Sequence, residues 1–409
     1  MNVHPILATL RRHKTAAGLI ALEIALSCAI VSNAVFLIGD RLDRIRQPSG
    51  LAEAELVHFQ LVGITRVEDP EAQAAEDIAA LRAVPGVRSV ATVNQIPFGN
   101  SSWYSSLNLE PEQQNPTMQV TTYVGSEDLL ETMGLSLVSG RDFVPEEYVE
   151  FQQAQSDPEV VIPAVIVSRA VADRLFPGEN PLGRSVYVWG AAPQRIVGVV
   201  EHLAKPNDIG GPSSEHTSVL MPVSAPVQYG INYLVRVDAG RRDGVLEEGV
   251  AALEAVNPSR IVLEDRTRTF EAFRDDYFQD DRAMAWLLVG VCVALLVVTA
   301  LGIVGLASFW VQQRTRQIGI RRALGATRGQ IIGYFQTENF LIATIGIAAG
   351  MVLAYAINGA LMGRYELPRL PWYYLPLGAV VLWTLGQLSV LGPALRAAAV
   401  PPAVATRSV

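Results

Sequence analysis

The chain has 409 residues, half of them hydrophobic, and a positive mean hydropathy of +0.26. This composition is too apolar for an ordinary soluble protein and too polar for a chain that lies entirely within a membrane. Residues 39–282 hold 37 of the 40 acidic residues but 20 of the 32 basic ones, so this interval carries a net charge of −17 and the rest of the chain carries +9. The distribution predicts an acidic soluble domain inserted into a basic membrane framework, and an acidic domain argues against nucleic-acid binding.

The first predicted element is a membrane span at residues 15–38, preceded by a short basic segment at 1–14. As a helix this span is about 35 Å long, enough to cross a hydrocarbon core of about 30 Å. The alternative is a signal peptide cleaved near Ser32-Asn33-Ala34. The run is long for a signal peptide, and it contains Glu23, an ionisable group that we expect to pack against partner helices. The flanking arginines place the N-terminus in the cytoplasm.

Residues 39–282 alternate strand-like and helix-like segments with Pro/Gly turns, which predicts a folded α/β domain. The domain contains no cysteine, so its own core must stabilise it without disulfides. Cys28 and Cys292 lie in apolar runs outside it, where we expect them to pack as small hydrophobes. Within the domain, Trp103 and Tyr104 stand in a loop-rich polar stretch and are candidates for substrate contact, although such pairs more often pack onto their own domain.

Three further spans are predicted at residues 283–311, 331–361 and 373–395. They are separated by a cytoplasmic loop at 312–330 and a short periplasmic loop at 362–372, and the tail at 396–409 is cytoplasmic. Trp286 and Trp310 are spaced to lie at opposite interfaces of the second span. In the third span, Glu338 falls near the cytoplasmic face, and Gly346 and Gly350 form a GxxxG pair that lets helix backbones approach closely, within the chain or between two chains.

The loop at 312–330 contains five arginines, and no acidic residue lies among them. Ile318, Ile320, Ala323 and Leu324 are apolar residues among these arginines, which predicts a short amphipathic helix. Gly325 is suited to end it, because glycine tolerates the left-handed conformation that closes helices. A basic connector of this length between two spans is typical of the cytoplasmic side.

The sequence of this loop resembles a motif of a known protein family. The run RQIGIRRALGATRGQI, followed by Glu338, is similar to the signature of FtsX/MacB-type ABC transporter permeases. The segments GRDF, SRAVADRLFPGENPLG and VGVV occur in the order found in MacB-like periplasmic domains. The tail resembles the family's closing pattern through Pro393, Arg396, Pro401, Pro402 and Ala403.

The resemblance implies an α-helical membrane protein with four transmembrane helices and a large two-lobed α/β periplasmic domain inserted between helices 1 and 2. It also implies an outer-flank lobe at about 54–122 and 223–265, a middle lobe at about 123–222 and a stalk at about 266–282. The chain would be a multi-pass inner-membrane protein surrounded by lipid. Its ATPase-coupling loop would comprise Ile318, Gly319, Ile320, Arg321, Arg322, Ala323, Leu324, Gly325 and Ala326.

The partners implied are a separate ABC ATPase subunit and a second permease chain, either identical or a paralogue. For efflux, they include a periplasmic adaptor and a TolC-like outer-membrane channel. The sequence contains no GxxxxGK[ST], HExxH, CxxC or GxSxG motif, so we expect no catalytic, cofactor or metal site in this chain. We expect ATP to bind to the partner subunit. This differs from MacB, in which the ATPase is fused to the permease. Lipoprotein release and regulation of a periplasmic enzyme are the alternatives. We expect replacement of Arg321 and Arg322 by Glu to uncouple ATP hydrolysis from function.

Overall fold

The computed structural model describes residues 14–401 apart from 64–68, 100, 112, 158, 191, 208–215, 227–229, 239 and 366–368. The helices of the described residues are α1 (Lys14–Arg46), α2 (Pro70–Arg82), α3 (Leu129–Met133), α4 (Phe151–Ser156), α5 (Arg169–Leu175), α6 (Arg242–Val256), α7 (Phe270–Tyr277), α8 (Gln279–Gln313), α9 (Thr315–Ala323), α10 (Arg328–Tyr365) and α11 (Tyr374–Ala398). The strands are β1 (Leu56–Gly63), β2 (Val87–Val93), β3 (Tyr104–Leu107), β4 (Met118–Val124), β5 (Leu137–Gly140), β6 (Ala164–Ser168), β7 (Ser185–Val186), β8 (Gln194–Val200), β9 (Ser218–Met221), β10 (Ile231–Val237), β11 (Arg260–Val262) and β12 (Arg268–Thr269).

The chain divides into two units. One unit is helical and contains the described residues up to Arg46 and from Asp280 onward; the other spans Gln47–Gln279 and contains both sheets. Within the described residues, four helices are long and apolar enough to cross a membrane, namely α1, α8, α10 and α11. The predicted fold class, four membrane helices with a large α/β domain between the first two, is therefore confirmed.

Close contact between α1 and α10 is made possible by the two glycines of the third span. A Cβ atom placed on Gly346 would lie 2.7 Å from the carbonyl oxygen of Ala21, and one placed on Gly350 would lie 2.7 Å from that of Ala25. Only a residue without a side chain allows two helix backbones to approach so closely. The GxxxG pair is thus covered by the first helix of the same chain and is not left open to a second chain.

The first lobe of the soluble unit is an antiparallel sheet with the strand order β11-β1-β10-β2, and β12 also pairs with β1. Alternate residues of β1, namely Val57, Phe59 and Leu61, enter one apolar core with residues of α2 and α6. Within α2, Asp77 is fully buried; it forms an ion pair with Arg260 and accepts a hydrogen bond of 2.5 Å from the Tyr233 hydroxyl. These polar contacts connect α2 to Tyr233 of β10 and Arg260 of β11.

The second lobe is a mixed sheet with the strand order β3-β4-β9-β6-β8-β5, and β7 pairs with β8. Strand β6 runs directly into α5, because Ser168 ends the strand and its hydroxyl accepts a hydrogen bond from the Val171 N–H, which caps the helix. Val165, Val167 and Val171 then enter the same buried core. The strand therefore passes into the helix without an intervening loop.

The boundary between the lobes differs from the prediction. Residues of β3 and β4 were assigned to the outer-flank lobe at 54–122, but β4 pairs in parallel with β9, with Thr121 opposite Ser218. Both strands therefore belong to the second sheet, and the boundary at about residue 122 was wrong. A parallel pairing between distant segments leaves no local periodicity that marks it in the sequence.

The predicted stalk at about 266–282 is not one continuous helix. Helix α7 ends at Tyr277, and α8 begins at Gln279. The aromatic side chains of Phe270 and Phe273 are buried in the first lobe, and the Phe273 ring meets His58 with a centroid distance of 5.1 Å. Burial of these rings attaches α7 to the first lobe.

Candidate coupling site

Helix α9 lies in the predicted cytoplasmic loop, and a glycine ends it. Gly325 has a φ of +99°, in the left-handed region. The Ala326 N–H donates to the Arg321 carbonyl at 3.0 Å, and the Gly325 N–H donates to the Arg322 carbonyl at 3.1 Å. This pair of bonds is the Schellman motif, which satisfies carbonyl groups at the end of a helix. The structure therefore contains the short helix and the glycine stop that the sequence predicts.

The inner face of α9 packs on the ends of the membrane helices. Ile318 is 5% exposed and joins the same apolar core as Trp310 of α8, Ile331 of α10 and Ala397 of α11. Gly319 beside it is also buried. The short helix thus packs on three spans through its apolar side, and residues on its other side are exposed.

A buried ion pair joins the start of α9 to the third span. Arg314, the residue between α8 and α9, donates from one Nη atom to both carboxylate oxygens of Glu338 at 2.8 and 3.1 Å. The guanidinium also lies 5.6 Å from the centroid of the Trp310 ring. Trp310 is only 5% exposed, so it is part of this contact and not the membrane-interface anchor that its spacing from Trp286 predicts.

The last turn of α9 is attached to the fourth span. Arg322 is half-buried, and its guanidinium donates to the carbonyl oxygens of Ala398 and Val400, both at 2.9 Å. These carbonyls lie at the C-terminal end of α11, where a cation is electrostatically favoured. Arg321, one residue earlier, is exposed and stacks on the Tyr334 ring at 5.0 Å. The two neighbouring arginines therefore have different surroundings.

The outer face of α9 is cationic and apolar at once. Leu324 is 83% exposed and Ile320 is 46% exposed; the exposed Arg321 directly follows Ile320, and the exposed Arg316 lies about one helical turn before it. Exposed apolar side chains flanked by charge mark protein interaction surfaces. Of the other predicted loop residues, Ala323 and Gly325 are exposed and Ala326 is half-buried. The nine predicted residues thus divide into residues that pack on the membrane helices and residues that are exposed.

The predicted polar residues of the spans have separate environments. Glu338 is 1% exposed and is paired with Arg314. Glu23 of α1 lies against Gly302 of α8, where an added Cβ would come within 2.6 Å of either carboxylate oxygen. Glu23 thus contacts a neighbouring span, whereas Glu338 is paired with an arginine, so the two carboxylates have different partners.

The structure places the two candidate substrate-contact residues on their own lobe. The Trp103 ring packs on Phe151 with a centroid distance of 5.6 Å, and the Trp103 backbone N–H donates to the Gln95 side-chain oxygen at 2.7 Å. The Tyr104 hydroxyl donates to Asn207 at 3.3 Å. These contacts match the more common role for such a pair, and a substrate-contact role stays a prediction.

Sequence reasoning missed the pairing of Arg314 with Glu338. The available signal was an arginine at the end of one span and a carboxylate within the next, because such groups in membranes usually pair with each other. His202 and His216 are distant in sequence, and their rings lie 4.1 Å apart. Even so, the described part of the chain holds no group of three His, Cys, Asp or Glu residues that could bind a metal ion.

Comparison with protein families identifies the class. Residues 19–253 match the model of the MacB-like periplasmic core domain, and residues 289–402 match that of the FtsX-like permease C-terminal region. The first match covers more than half of the chain. The chain therefore belongs to the FtsX/MacB-type ABC transporter permeases, multi-pass proteins of the inner membrane with a large periplasmic domain. The family implies an ABC ATPase partner.

Several curated relatives are similar to this chain. The macrolide export ATP-binding/permease protein MacB of Chromobacterium violaceum is 26% identical over 56% of this chain and 34% of its own length. The pyoverdine export ATP-binding/permease protein PvdT of Pseudomonas aeruginosa is 22% identical over 70% of this chain and 40% of its own. The chain thus spans well under half the length of these relatives. An uncharacterized ABC transporter permease, YknZ of Bacillus subtilis, is 22% identical over 99% of this chain and 98% of its own length.

Two solved structures resemble the soluble unit. The periplasmic region of MacB from Actinobacillus actinomycetemcomitans is 16% identical, with a TM-score of 0.36, and covers 58% of this chain and 97% of that one. The extracellular domain of YknZ is 18% identical, with a TM-score of 0.31, and covers 51% of this chain and 100% of that one.

Proposed function

We propose that this chain is the permease subunit of an ABC transporter that works by mechanotransmission, and that a separate ATPase subunit docks on the outer face of α9. The observation that carries the proposal is the division of α9 into a seated inner face and an exposed face with Leu324 and Arg321. Leu324 and Ile320, exposed together beside arginines, form an apolar patch rimmed by charge, which is typical of a surface that a protein partner covers. ATP would bind to the partner, and this chain would contribute no catalytic residue.

In this proposal, closure of the ATPase on ATP displaces α9. Because Arg314 connects α9 directly to α8, and α8 is continuous in sequence with the periplasmic domain, the displacement is passed along the second span to the lobes. Export would then act on a substrate in the periplasm. The relatives named for macrolide and pyoverdine export favour efflux over lipoprotein release. A second permease chain, a periplasmic adaptor and a TolC-like channel would complete the assembly.

The test is purification of the tagged chain from its native membranes, followed by identification of a co-purifying P-loop ATPase. Leu324→Asp should reduce the amount of bound ATPase by about tenfold, as expected for a central interface residue. Arg321→Glu should have a similar effect. The matched control is Arg396→Glu, which makes the same charge change at another exposed arginine, in the last turn of α11.

The structure also separates the two arginines that the sequence grouped together. Arg321→Glu tests docking, whereas Arg322→Glu removes the bonds to the α11 carbonyls and tests attachment of α9 to the bundle. Absence of any ATPase in the purified wild-type assembly would contradict the proposal. Undiminished binding of the ATPase to both Leu324→Asp and Arg321→Glu would remove α9 as the docking surface.

A further inference from the structure

The ion pair of Arg314 and Glu338 occupies the point where the second span, α9 and the third span meet. We propose that these two side chains are positioning residues that hold α9 at a fixed place against the third span, so that movement of α9 enters the bundle without slippage. The transport role of the pair rests on the proposed function. The positional role can be tested without it.

Arg314 joins two helices through its backbone. Its N–H donates to the Trp310 carbonyl at 3.1 Å, within the last turn of α8, and its carbonyl accepts from the Ile318 N–H at 2.9 Å, within the first turn of α9. One residue therefore ends the second span and starts α9. Its side chain links this junction to α10, the next helix along the chain.

Both charges are shielded from solvent. The Arg314 side chain is 10% exposed and that of Glu338 is 2% exposed. In such surroundings neither group has water to solvate it, so each depends on the other. One Nη atom reaches both carboxylate oxygens, and the Trp310 ring lies beside the guanidinium, so the direction of the arginine is fixed from two sides.

A buried ion pair is a poor way to add stability, because apolar residues of similar volume often serve as well or better. What distinguishes a buried ion pair is that it fixes the relative position of the two groups. An apolar contact permits small sliding movements between helices, whereas charged hydrogen bonds between buried groups require one geometry. A pair at the junction of three helices is therefore better explained by a positional role than by stability alone.

The second attachment of α9 provides an internal comparison. Arg322 donates to the backbone carbonyls of Ala398 and Val400 at the α11 end, and these acceptors carry no net charge. Loss of Arg322 therefore leaves no buried charge. Loss of either partner of the Arg314–Glu338 pair would leave a buried charge without its partner, which makes this pair the stricter of the two attachments.

The decisive variant is the double substitution Arg314→Met with Glu338→Leu. It fills the space of the ion pair with apolar side chains of similar size and leaves no unpaired charge. It should insert and melt near the wild-type temperature. Hydrogen exchange of the α9 backbone amides in lipid nanodiscs should become at least about tenfold faster, because the helix is released from α10. In the assembly with the ATPase, bound ATPase should remain at the wild-type amount while the stimulation of ATP hydrolysis by the permease is lost.

Two further variants complete the test. The charge reversal Arg314→Glu with Glu338→Arg should restore both the slow exchange and the stimulation, because it restores the pair in the opposite order. The control Gln387→Leu removes a weaker contact between α11 and α10, a bond of 3.4 Å to the Gln336 carbonyl, and should leave both measurements unchanged.

Unchanged exchange in the Met/Leu variant would overturn the positional role, whether or not an ATPase is bound. Faster exchange with full stimulation would show that the pair positions α9 but does not serve coupling. If the wild-type chain recovers no ATPase, the proposed function fails, and the exchange result still decides the role of the pair.

Discussion

Of the first two membrane helices, the second (α8) is the more apolar, but the first (α1) is the more buried. The most apolar 18-residue window of α8 has a mean hydropathy of 3.0, yet only 17% of it is buried in the chain; for α1 the values are 2.1 and 61%. In water the more apolar helix would be expected inside. In a membrane the lipid is as apolar as leucine, so apolar character alone gives a helix no reason to be buried.

The residues that α1 buries explain the difference. Its inner face carries small and weakly polar side chains, including Ala25, Ser27, Cys28, Ser32 and Asn33. Small residues permit close approach of backbones, and polar ones form bonds between helices. The exposed side of α8 carries many larger, branched side chains, including Leu287, Val291, Val293, Val297, Val298 and Leu301. Hydropathy thus locates a span, and small or polar residues identify the face that packs.

The largest effect is expected at the contact between α1 and α10. Gly350→Leu should destabilise the bundle by about 3 kcal/mol, the upper end of the usual cost of overpacking. A Cβ at this position would lie 2.5 Å from the Cβ of Cys28 and 2.7 Å from the Ala25 carbonyl oxygen, and backbone cannot move aside as a side chain can. The unfolding free energy in lipid bicelles is the measurement.

The control for that substitution lies on the same helix. Gly359→Leu introduces the same side chain at a glycine with no atom within 4 Å of its added Cβ. It should leave the unfolding free energy close to that of the wild type. Equal losses for the two variants would show that α10 tolerates leucine poorly in general and that its contact with α1 is not special.

The four spans could be predicted because each is a long apolar run, a signal that needs no knowledge of the neighbouring segments. The sheet order could not, because β4 and β9 are distant in sequence and their parallel pairing depends on the whole lobe. The break at Phe278 was also missed, since the aromatic spacing of α7 is equally typical of a continued helix. Information about long-range contacts is what the local pattern lacks.

At the coupling site, the amphipathic helix and its glycine stop were predictable, but the separate environments of the arginines were not. Each step along a helix turns a side chain by about 100°. The place where α8 ends, at Gln313, therefore decides which arginine faces Glu338 and which faces the partner. Helix boundaries are uncertain from sequence by more than one residue, so the pairing of Arg314 could not be assigned.

An intermediate effect is expected from the polar contact between α1 and α10. The Asn33 side chain donates to the carbonyls of Ala29 at 2.9 Å and of Ala354 at 3.1 Å, so it bridges the two helices. Asn33→Ala should cost about 1 kcal/mol, as for other hydrogen bonds between membrane helices. Ile30→Ala, on the exposed face of the same helix, should cost much less. A larger loss at Ile30 would contradict the importance given to polar packing.

The smallest effect is expected where α8 does contact α1. The hydroxyls of Ser27 and Thr299 lie 2.7 Å apart, and the Thr299 hydroxyl also donates to the Leu295 carbonyl of its own helix at 2.9 Å. Thr299→Val keeps the shape and removes the bond between the helices, so it should cost about 0.6 kcal/mol, the average for such bonds. Unfolding free energies in bicelles again provide the measurement.

Thr384→Val is the matched control for this last substitution, because the Thr384 hydroxyl is exposed and donates only within α11, to the Val380 carbonyl at 2.8 Å. It should change the unfolding free energy by less than Thr299→Val does. If the Thr299 substitution instead costs more than Asn33→Ala, then α8 is held to α1 as firmly as α10 is. Its low burial would then not measure how weakly it is bound, and the contrast between the two helices would concern lipid exposure alone.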